Sequence, residues 1–126
     1  KKYSRKIILS IDTKAGRDIG RETIKKYVEI IKKSKTAIWN GPMGEFEKRE
    51  FSDGTKEVWR AILRNKKARI VVGGGETIVS LKLLNTRYQL LITKNRNLFL
   101  STGGGAMLDY LSGKKLPGIE TLKKLK

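Results

Sequence analysis

The amino-acid sequence predicts an α/β fold of three layers, in which a mainly parallel sheet carries helices on both faces. Short aliphatic runs alternate along the chain with segments of helical periodicity, a pattern typical of such folds. Three of the aliphatic runs end in glycine-rich turns, at residues 40–44, 73–75 and 103–105. The 126 residues contain no linker or low-complexity tract, so we expect one domain or part of one.

Each element follows from a local pattern. Aliphatic runs predict four strands, at residues 6–11, 36–39, 69–72 and 98–100. Helical spacing of apolar side chains predicts the helices that follow them, with buried positions within 24–31, 58–63, 77–84 and 106–111. Asp18 is a candidate N-cap of the first helix, and the second is expected to begin near Ser52. Residues 85–96 show the least clear pattern, and within them 88–92 form either an extra strand or a continued helix. Residues 119–125 predict a short amphipathic tail.

Composition limits the chemistry and the partners. The chain has no cysteine and no histidine, which excludes disulfides, thiolate chemistry and imidazole catalysis. The net charge of +17 predicts attraction to polyanions. Because the cations are scattered along the chain and aromatics are few, we favour a generally lysine-rich composition, or the lack of an acidic partner half, over nucleic-acid binding as the origin of this charge. Small anions such as ATP fit the charge equally well. No apolar run is long enough to span a membrane, and residues 1–6 show no signal-peptide pattern. We therefore expect a cytoplasmic protein without a membrane partner.

The three glycine-rich turns predict a ligand site. If their strands are parallel, all three turns lie at one edge of the sheet, where open α/β sheets bind ligands. The first amides of a helix have no internal partner and lie at the positive end of the helix dipole, and glycine allows an anion to approach them. Neither the dinucleotide fingerprint nor the P-loop pattern is present. One triple glycine alone is explained by a tight turn, but three such turns favour a nucleotide-phosphate site.

Several polar side chains near these turns have two interpretations each. Glu76 either complements the dipole of a helix or ligates Mg²⁺ beside a nucleotide. Glu47 is either a surface charge or a ribose ligand, and Asn40 is either a turn residue or a phosphate contact. Trp39 and Trp59 are assigned to the core.

Three motifs occur together, and their combination is highly specific. They are Trp39-Asn40-Gly41-Pro42-Met43-Gly44 with Phe46-Glu47, Gly73-Gly74-Gly75 followed by an acidic residue, and Ser101-Thr102-Gly103-Gly104-Gly105-Ala106. With Asp18-Ile19-Gly20 and Leu116-Pro117-Gly118, they resemble the last part of phosphoglycerate kinase, over nearly the whole chain. The resemblance implies a Rossmann-like half of that family's C-terminal nucleotide-binding domain. The family usually has Asp where Glu76 stands.

The resemblance also implies roles for individual residues. Glu47 would hold the ribose, Pro42 would border the adenine pocket, and Asn40 would lie near the phosphates. The residues implied to bind the nucleotide phosphates, with Mg²⁺ at Glu76, are Gly73, Gly74, Gly75, Glu76 and Thr77. In the catalytic part of the site, the transferring phosphoryl group would meet the amides of Gly103, Gly104 and Gly105.

The implied function is the nucleotide-binding portion of a glycolytic kinase, which transfers a phosphoryl group between 1,3-bisphosphoglycerate and ADP with Mg-ATP or Mg-ADP bound. The family's N-terminal substrate domain and several of its lysines have no counterpart in this sequence. We therefore expect residues 1–126 to form a single partial nucleotide-binding domain, inactive alone, that meets 3-phosphoglycerate only if an N-terminal domain is supplied. A non-catalytic ATP-binding module and a basic nucleic-acid-binding domain are the alternatives, and an open sheet edge favours self-association.

Overall fold

Five strands and six α-helices follow one another over residues 6–125, the part of the chain that this computed structural model describes. In chain order they are β1 (Thr13–Lys14), β2 (Asp18–Ile19), α1 (Arg21–Lys33), β3 (Thr36–Asn40), α2 (Asp53–Arg64), β4 (Arg69–Gly73), α3 (Gly75–Val79), α4 (Thr86–Lys94), β5 (Leu98–Ser101), α5 (Gly104–Leu111) and α6 (Pro117–Lys124). Short 3₁₀ turns lie at Arg49–Phe51 and Ser80–Leu83. The N-terminal residues 1–5, which carry most of the stretch examined for a signal peptide, lie outside the described part.

The central sheet is parallel, and its strand order is β3-β4-β5. Each crossover between neighbouring strands contains a helix, as parallel pairing requires. The predicted α/β class is thereby confirmed. β1 and β2 form a separate antiparallel hairpin, and within the described residues β3 pairs only with β4. Self-association through the other edge of β3 stays a prediction.

One face of the sheet is buried under helices. Trp39, Ile70 and Val72 point to this face, and α2 covers them with Trp59 and other apolar side chains. The rings of Trp39 and Trp59 meet edge to face with their centroids 4.9 Å apart. The assignment of both tryptophans to the core is confirmed.

The opposite face of the sheet is more open. Successive side chains of a strand point to opposite faces, and Ile38, Val71 and Phe99 form a row in register across the three strands. Ile38 is 51% exposed and Phe99 is 64% exposed. The helical cover of this sheet is therefore concentrated on the face of Trp39.

The predicted strand at residues 6–11 is wrong. These residues pair with no strand among those described, and Ile7, Leu9 and Ile11 are 62%, 74% and 63% exposed. The segment instead runs along α1, where Tyr27 Oη donates to the carbonyl of Ile8 at 3.3 Å and Thr23 Oγ1 accepts from the amide of Ile11 at 2.9 Å. An aliphatic run forms a strand only beside a partner with free backbone groups, and no described strand lies next to it.

The predicted N-cap of the first helix is also wrong. Asp18 is buried and accepts a hydrogen bond from the amide of Gly54, at the start of α2, at 2.9 Å. The start of α1 is satisfied by Asp12, whose carboxylate accepts from the amides of Glu22 and Thr23 at 3.1 and 2.8 Å. The chain reverses in the β1–β2 hairpin between Asp12 and Gly20, which brings the more distant carboxylate to the helix end.

The other predicted elements are present. Residues 88–92, where two alternatives were open, lie in the helix α4, because Asn85 caps its first turn and Tyr88, Leu91 and Ile92 pack against the core at helical spacing. The helix predicted over 77–84 begins earlier and changes to a 3₁₀ turn at Ser80. No helix in residues 6–125 has the length and apolar character needed to cross a membrane.

The Asp12 cap predicts a pH-dependent stability. Hydrogen bonds from the Thr23 hydroxyl and amide lower the pKa of Asp12 below its ordinary value of 3.8. A carboxyl whose pKa falls on folding stabilises the native state above its ordinary pKa, and this contribution is lost as the pH falls through the lower, folded value. Asp12→Asn is therefore expected to lower the thermal midpoint at neutral pH, and the difference from the wild type should shrink at acid pH, below the ordinary value of 3.8.

Thermal unfolding followed by circular dichroism at both pH values measures this effect. The control is Asp109→Asn, which removes an exposed ion pair with Lys114 and should change little at either pH. A constant difference between Asp12→Asn and the wild type from neutral to acid pH would show that the cap does not depend on ionisation.

Candidate functional site at the carboxyl edge of the sheet

The three glycine-rich turns lie side by side, as the sequence predicts. The last residues of the strands, Asn40, Gly73 and Ser101, are in register across β3, β4 and β5. Each strand is followed directly by one of the turns, so all three turns leave the same edge of the sheet. We call this set of residues, Asn40 with 73–75 and 103–105, the glycine rim.

Asn40 and two of the glycines meet at the centre of the glycine rim. A Cβ atom on Gly74 would lie 3.0 Å from Asn40 Oδ1, and one on Gly104 would lie 3.5 Å from Gly74 Cα and 3.8 Å from Asn40 Oδ1. Gly74 also has a φ of 93°, which L side chains rarely adopt. The positive φ and the close Asn40 side chain explain the glycine at position 74, whereas at Gly104 a Cβ atom would make only ordinary contacts and the φ of 31° is what favours glycine.

Hydrogen bonds hold the turns together. The amide of Gly74 donates to the carbonyl of Ser101 at 2.9 Å, and the amide of Gly41 donates to Thr77 Oγ1 at 2.9 Å. Thr77 is fully buried, so in this structure its hydroxyl ties α3 to the turn after β3. A direct contact of Thr77 with nucleotide phosphates stays a prediction.

Two helices begin at the glycine rim without a side-chain cap. Gly74 precedes α3 and Gly103 precedes α5, and neither helix receives a cap hydrogen bond from the side chain before it. The first amides of each helix are therefore available, and the positive ends of both helix dipoles lie at this edge. Gly75, Gly103 and Gly105 are exposed, which leaves room for an anion at these amides.

The only carboxylate in the first turn of either helix is that of Glu76. Its residue is exposed, and no cluster of three or more acidic side chains that could hold a metal occurs within residues 6–125. Mg²⁺ is usually bound through one or two carboxylates together with substrate phosphates and water. Glu76 therefore fits a magnesium ion that arrives with a phosphate ligand, and not one held by the protein alone.

Pro42 and Glu47 lie in the long turn after β3. This turn is fixed where Met43 and Thr55 exchange two hydrogen bonds, of 2.8 and 2.7 Å, and where Phe46 is buried. Glu47 is exposed, and no hydrogen bond or ion pair of the described residues joins it to the glycine rim. The structure thus brings Asn40 and the glycines together but leaves Pro42 and Glu47 as predictions.

Two residues that support the site were not predicted from the sequence. Ser101 supplies the carbonyl that holds Gly74, and its hydroxyl accepts from the amide of Gly103 at 3.3 Å. Met107 lies so close to Gly73 that a Cβ atom there would collide with its thioether. Serine before a glycine turn is a recognisable turn signal, whereas nothing in the local sequence indicates the contact of Met107.

The chain is thus an α/β protein with two uncapped helix starts and three glycine-rich turns at the carboxyl edge of its parallel sheet, an arrangement at which proteins of this class commonly bind anions. The chain belongs to the phosphoglycerate kinase family, whose model, Phosphoglycerate kinase, matches residues 2–114. The family is one of phosphotransferases of glycolysis.

Individual relatives agree with this assignment. The chain is 44% identical over 108 residues to a phosphoglycerate kinase of Lactobacillus johnsonii, covering 86% of this chain and 25% of the relative. It is 45% identical over 112 residues to one of Leptospira biflexa, covering 89% of this chain and 26% of the relative. The chain thus spans about a quarter of the length of the curated relatives it matches.

Solved structures lead to the same family. Phosphoglycerate kinase from Pyrococcus horikoshii superposes with a TM-score of 0.69 at 40% identity, covering 85% of this chain and 24% of that one. The enzyme from Coxiella burnetii gives a TM-score of 0.65 at 36% identity, covering 82% and 25%.

Proposed function

We propose that this chain supplies the phosphate-binding wall of an adenine-nucleotide site of a phosphoglycerate kinase. The observation that carries the proposal is the convergence of Asn40, Gly74 and Gly104 at one edge of the sheet, in a chain of this family. Two sets of unpaired helix amides at that edge provide fixed positive charge for phosphate oxygens. Phosphoryl transfer depends mainly on such positioning and charge stabilisation.

The proposal gives roles to the glycines of the glycine rim and to three other candidate residues. Gly73, Gly74 and Gly75 would surround the nucleotide phosphates, with the amide of Gly75 as a donor, because that of Gly74 already donates to Ser101. The amides of Gly104 and Gly105 would orient the phosphoryl group that is transferred, beside Gly103, whose amide donates to Ser101 Oγ. Glu76 would hold Mg²⁺, which supplies neutralisation of the phosphate oxygens when it is bound. Pro42 would border the adenine, and Glu47 would accept hydrogen bonds from the ribose.

The whole reaction, between 1,3-bisphosphoglycerate and ADP, is proposed only for a protein that also contains the remaining parts of the relatives. The matched quarter of those relatives leaves the binding of 3-phosphoglycerate to other residues. The exposure of Asn40, Gly75 and Gly105 supports a site that is completed by further structure on its open side. We expect no turnover by this chain alone.

Glycine-to-alanine variants test the proposed phosphate contacts. A Cβ atom on Gly75 or Gly105 meets nothing within 4 Å, so alanine at either position should leave the fold unchanged. A methyl group there would obstruct a phosphate that approaches the helix amides. If one charge-assisted hydrogen bond is lost, Gly75→Ala and Gly105→Ala should each weaken Mg-ADP binding about tenfold in calorimetric titrations.

Gly118→Ala is the matched control, because its Cβ also meets nothing within 4 Å and it lies in α6, outside the glycine rim. It should leave the affinity for ADP unchanged. Glu76→Gln should remove the dependence of that affinity on Mg²⁺. Absence of ADP binding at millimolar concentration, or binding that neither rim variant weakens, would contradict the proposal. Binding without phosphoryl transfer, even when the missing parts of a relative are supplied, would indicate a non-catalytic nucleotide-binding module.

A further inference from the structure

The amino ends of the parallel strands carry a concentration of positive charge. The segments that lead into β3, β4 and β5, residues 34–36, 64–69 and 94–97, contain no carboxylate. Their seven basic residues are exposed, and none forms a salt bridge with the described residues. We call this surface the amino-end rim; its basic residues are Lys35, Arg64, Lys66, Lys67, Arg69, Lys94 and Arg96.

The fold brings these charges together from three distant segments. The side-chain amide of Asn65 donates to the carbonyl of Ser34 at 3.0 Å, and the amide of Arg69 donates to the carbonyl of Lys35 at 2.9 Å. The side-chain amide of Asn97 donates to the carbonyl of Lys66 at 2.9 Å. The three segments are thus fixed beside one another, although their cations are scattered along the sequence. A surface of one sign attracts a polyanion and releases its counterions.

An exposed aromatic ring lies next to the amino-end rim. Phe99 is 64% exposed and belongs to the open face of the sheet. It lines a depression of about 340 Å³ together with Arg69, Val71 and Arg96. Positive groups beside an exposed aromatic face are the features with which proteins bind unpaired nucleotides, because the phosphates meet the cations and a base stacks on the ring.

We propose that the amino-end rim and Phe99 form a binding surface for single-stranded nucleic acid. A duplex fits less well, because its bases are stacked on one another and offer no free face to Phe99. An anionic lipid surface would use the cations but would gain nothing from stacking. The cations of the amino-end rim lie at the end of β4 opposite the glycine rim, about 13 Å away along the strand, and Phe99 is in register with Val71 at the middle of that strand. The cations therefore lie apart from the nucleotide site.

Fluorescence anisotropy with a labelled oligothymidylate of about 20 nucleotides tests the proposal on the full chain, in the absence and presence of Mg-ADP. The triple variant Lys35→Glu, Lys67→Glu and Arg96→Glu should weaken binding at least about 100-fold. It should also reduce the slope of log affinity against log salt concentration by about 2, since each single-strand phosphate contact contributes about 0.7. Saturating Mg-ADP should change neither value.

A matched triple variant, Lys26→Glu, Lys82→Glu and Lys115→Glu, changes the net charge equally at exposed lysines outside the rim. It should weaken binding by no more than about threefold, because distant exposed charges are screened. Phe99→Ala should weaken binding about tenfold, and Phe99→Tyr should preserve it, because both rings stack on a base.

Each of the following outcomes would overturn the proposal. Equal losses in the two triple variants would show attraction to net charge alone. If Phe99→Ala leaves the affinity for oligothymidylate unchanged, no base stacks on Phe99. Binding to phosphatidylserine vesicles without binding to oligothymidylate would assign the surface to a membrane. Circular dichroism verifies folding of each variant; if the rim triple does not fold, Lys67→Glu alone should still weaken binding about threefold, and no change would equally overturn the proposal.

Discussion

Trp59→Ala is expected to lower the free energy of unfolding by about 3–5 kcal/mol. Trp59 is fully buried, packs edge to face against Trp39, and donates from Nε1 to Ser80 Oγ at 2.8 Å. Alanine would leave a cavity between α2 and the sheet and would remove a hydrogen-bond partner from a buried hydroxyl. Small domains are stable by only about 5–15 kcal/mol, so this loss is a large fraction of the total free energy of unfolding. A large part of the molecules would then be unfolded at 37 °C.

Urea denaturation followed by circular dichroism measures this loss. Trp59→Phe keeps most of the ring and removes the hydrogen bond, so it should lie between the wild type and alanine. The control is Phe99→Ala, which removes an aromatic ring that is 64% exposed and should change the midpoint little. Similar midpoints for Trp59→Ala and Phe99→Ala would show that the contact of the two tryptophans does not organise the core.

Gly54→Ala is expected to destabilise the protein by about 1–3 kcal/mol, although alanine normally favours a helix over glycine. Gly54 is the second residue of α2, and it donates its amide to the buried carboxylate of Asp18. A Cβ atom at this position would collide with that carboxylate and would lie 2.6 Å from Ile19 Cγ1. The variant would therefore force the β1–β2 hairpin away from the start of α2.

Gly118→Ala is the matched control, since Gly118 is also the second residue of a helix and its Cβ would meet open space. It should be neutral or stabilising by up to about 1 kcal/mol. The two substitutions are thus expected to shift the thermal midpoint in opposite directions. A shift in the same direction for both would mean that helix propensity, and not contact with Asp18, decides the effect.

The local rules that predicted the fold succeeded where a segment carries its own information. The helical spacing of Val58, Trp59 and Ile62 predicts both α2 and its buried face, because side chains three and four residues apart share one side of a helix. The glycine turns after β3, β4 and β5 were predicted for a similar reason. Parallel strands necessarily place their carboxyl ends at one edge, so their convergence followed from the strand assignment alone.

The same rules failed where the partner of a group is remote in sequence. Asp18 looked like a cap because it precedes α1, but the hairpin turns it toward Gly54, 36 residues away. Among the described residues no strand lies beside the aliphatic run at 6–11, and the local sequence of that run cannot show this. The buried roles of Thr77 and Ser80 were missed for the same reason, since polar residues are buried only when tertiary hydrogen bonds satisfy them.

The sequence by itself determined the α/β class, the family and the edge at which the glycines collect, because periodicity and turn chemistry are local. Only the tertiary structure decided which carboxylate caps which helix, how closely Asn40 approaches Gly74 and Gly104, and that seven scattered cations share one end of the sheet. These features depend on distances between segments far apart in the chain, which are fixed by packing and by hydrogen bonds across the strands.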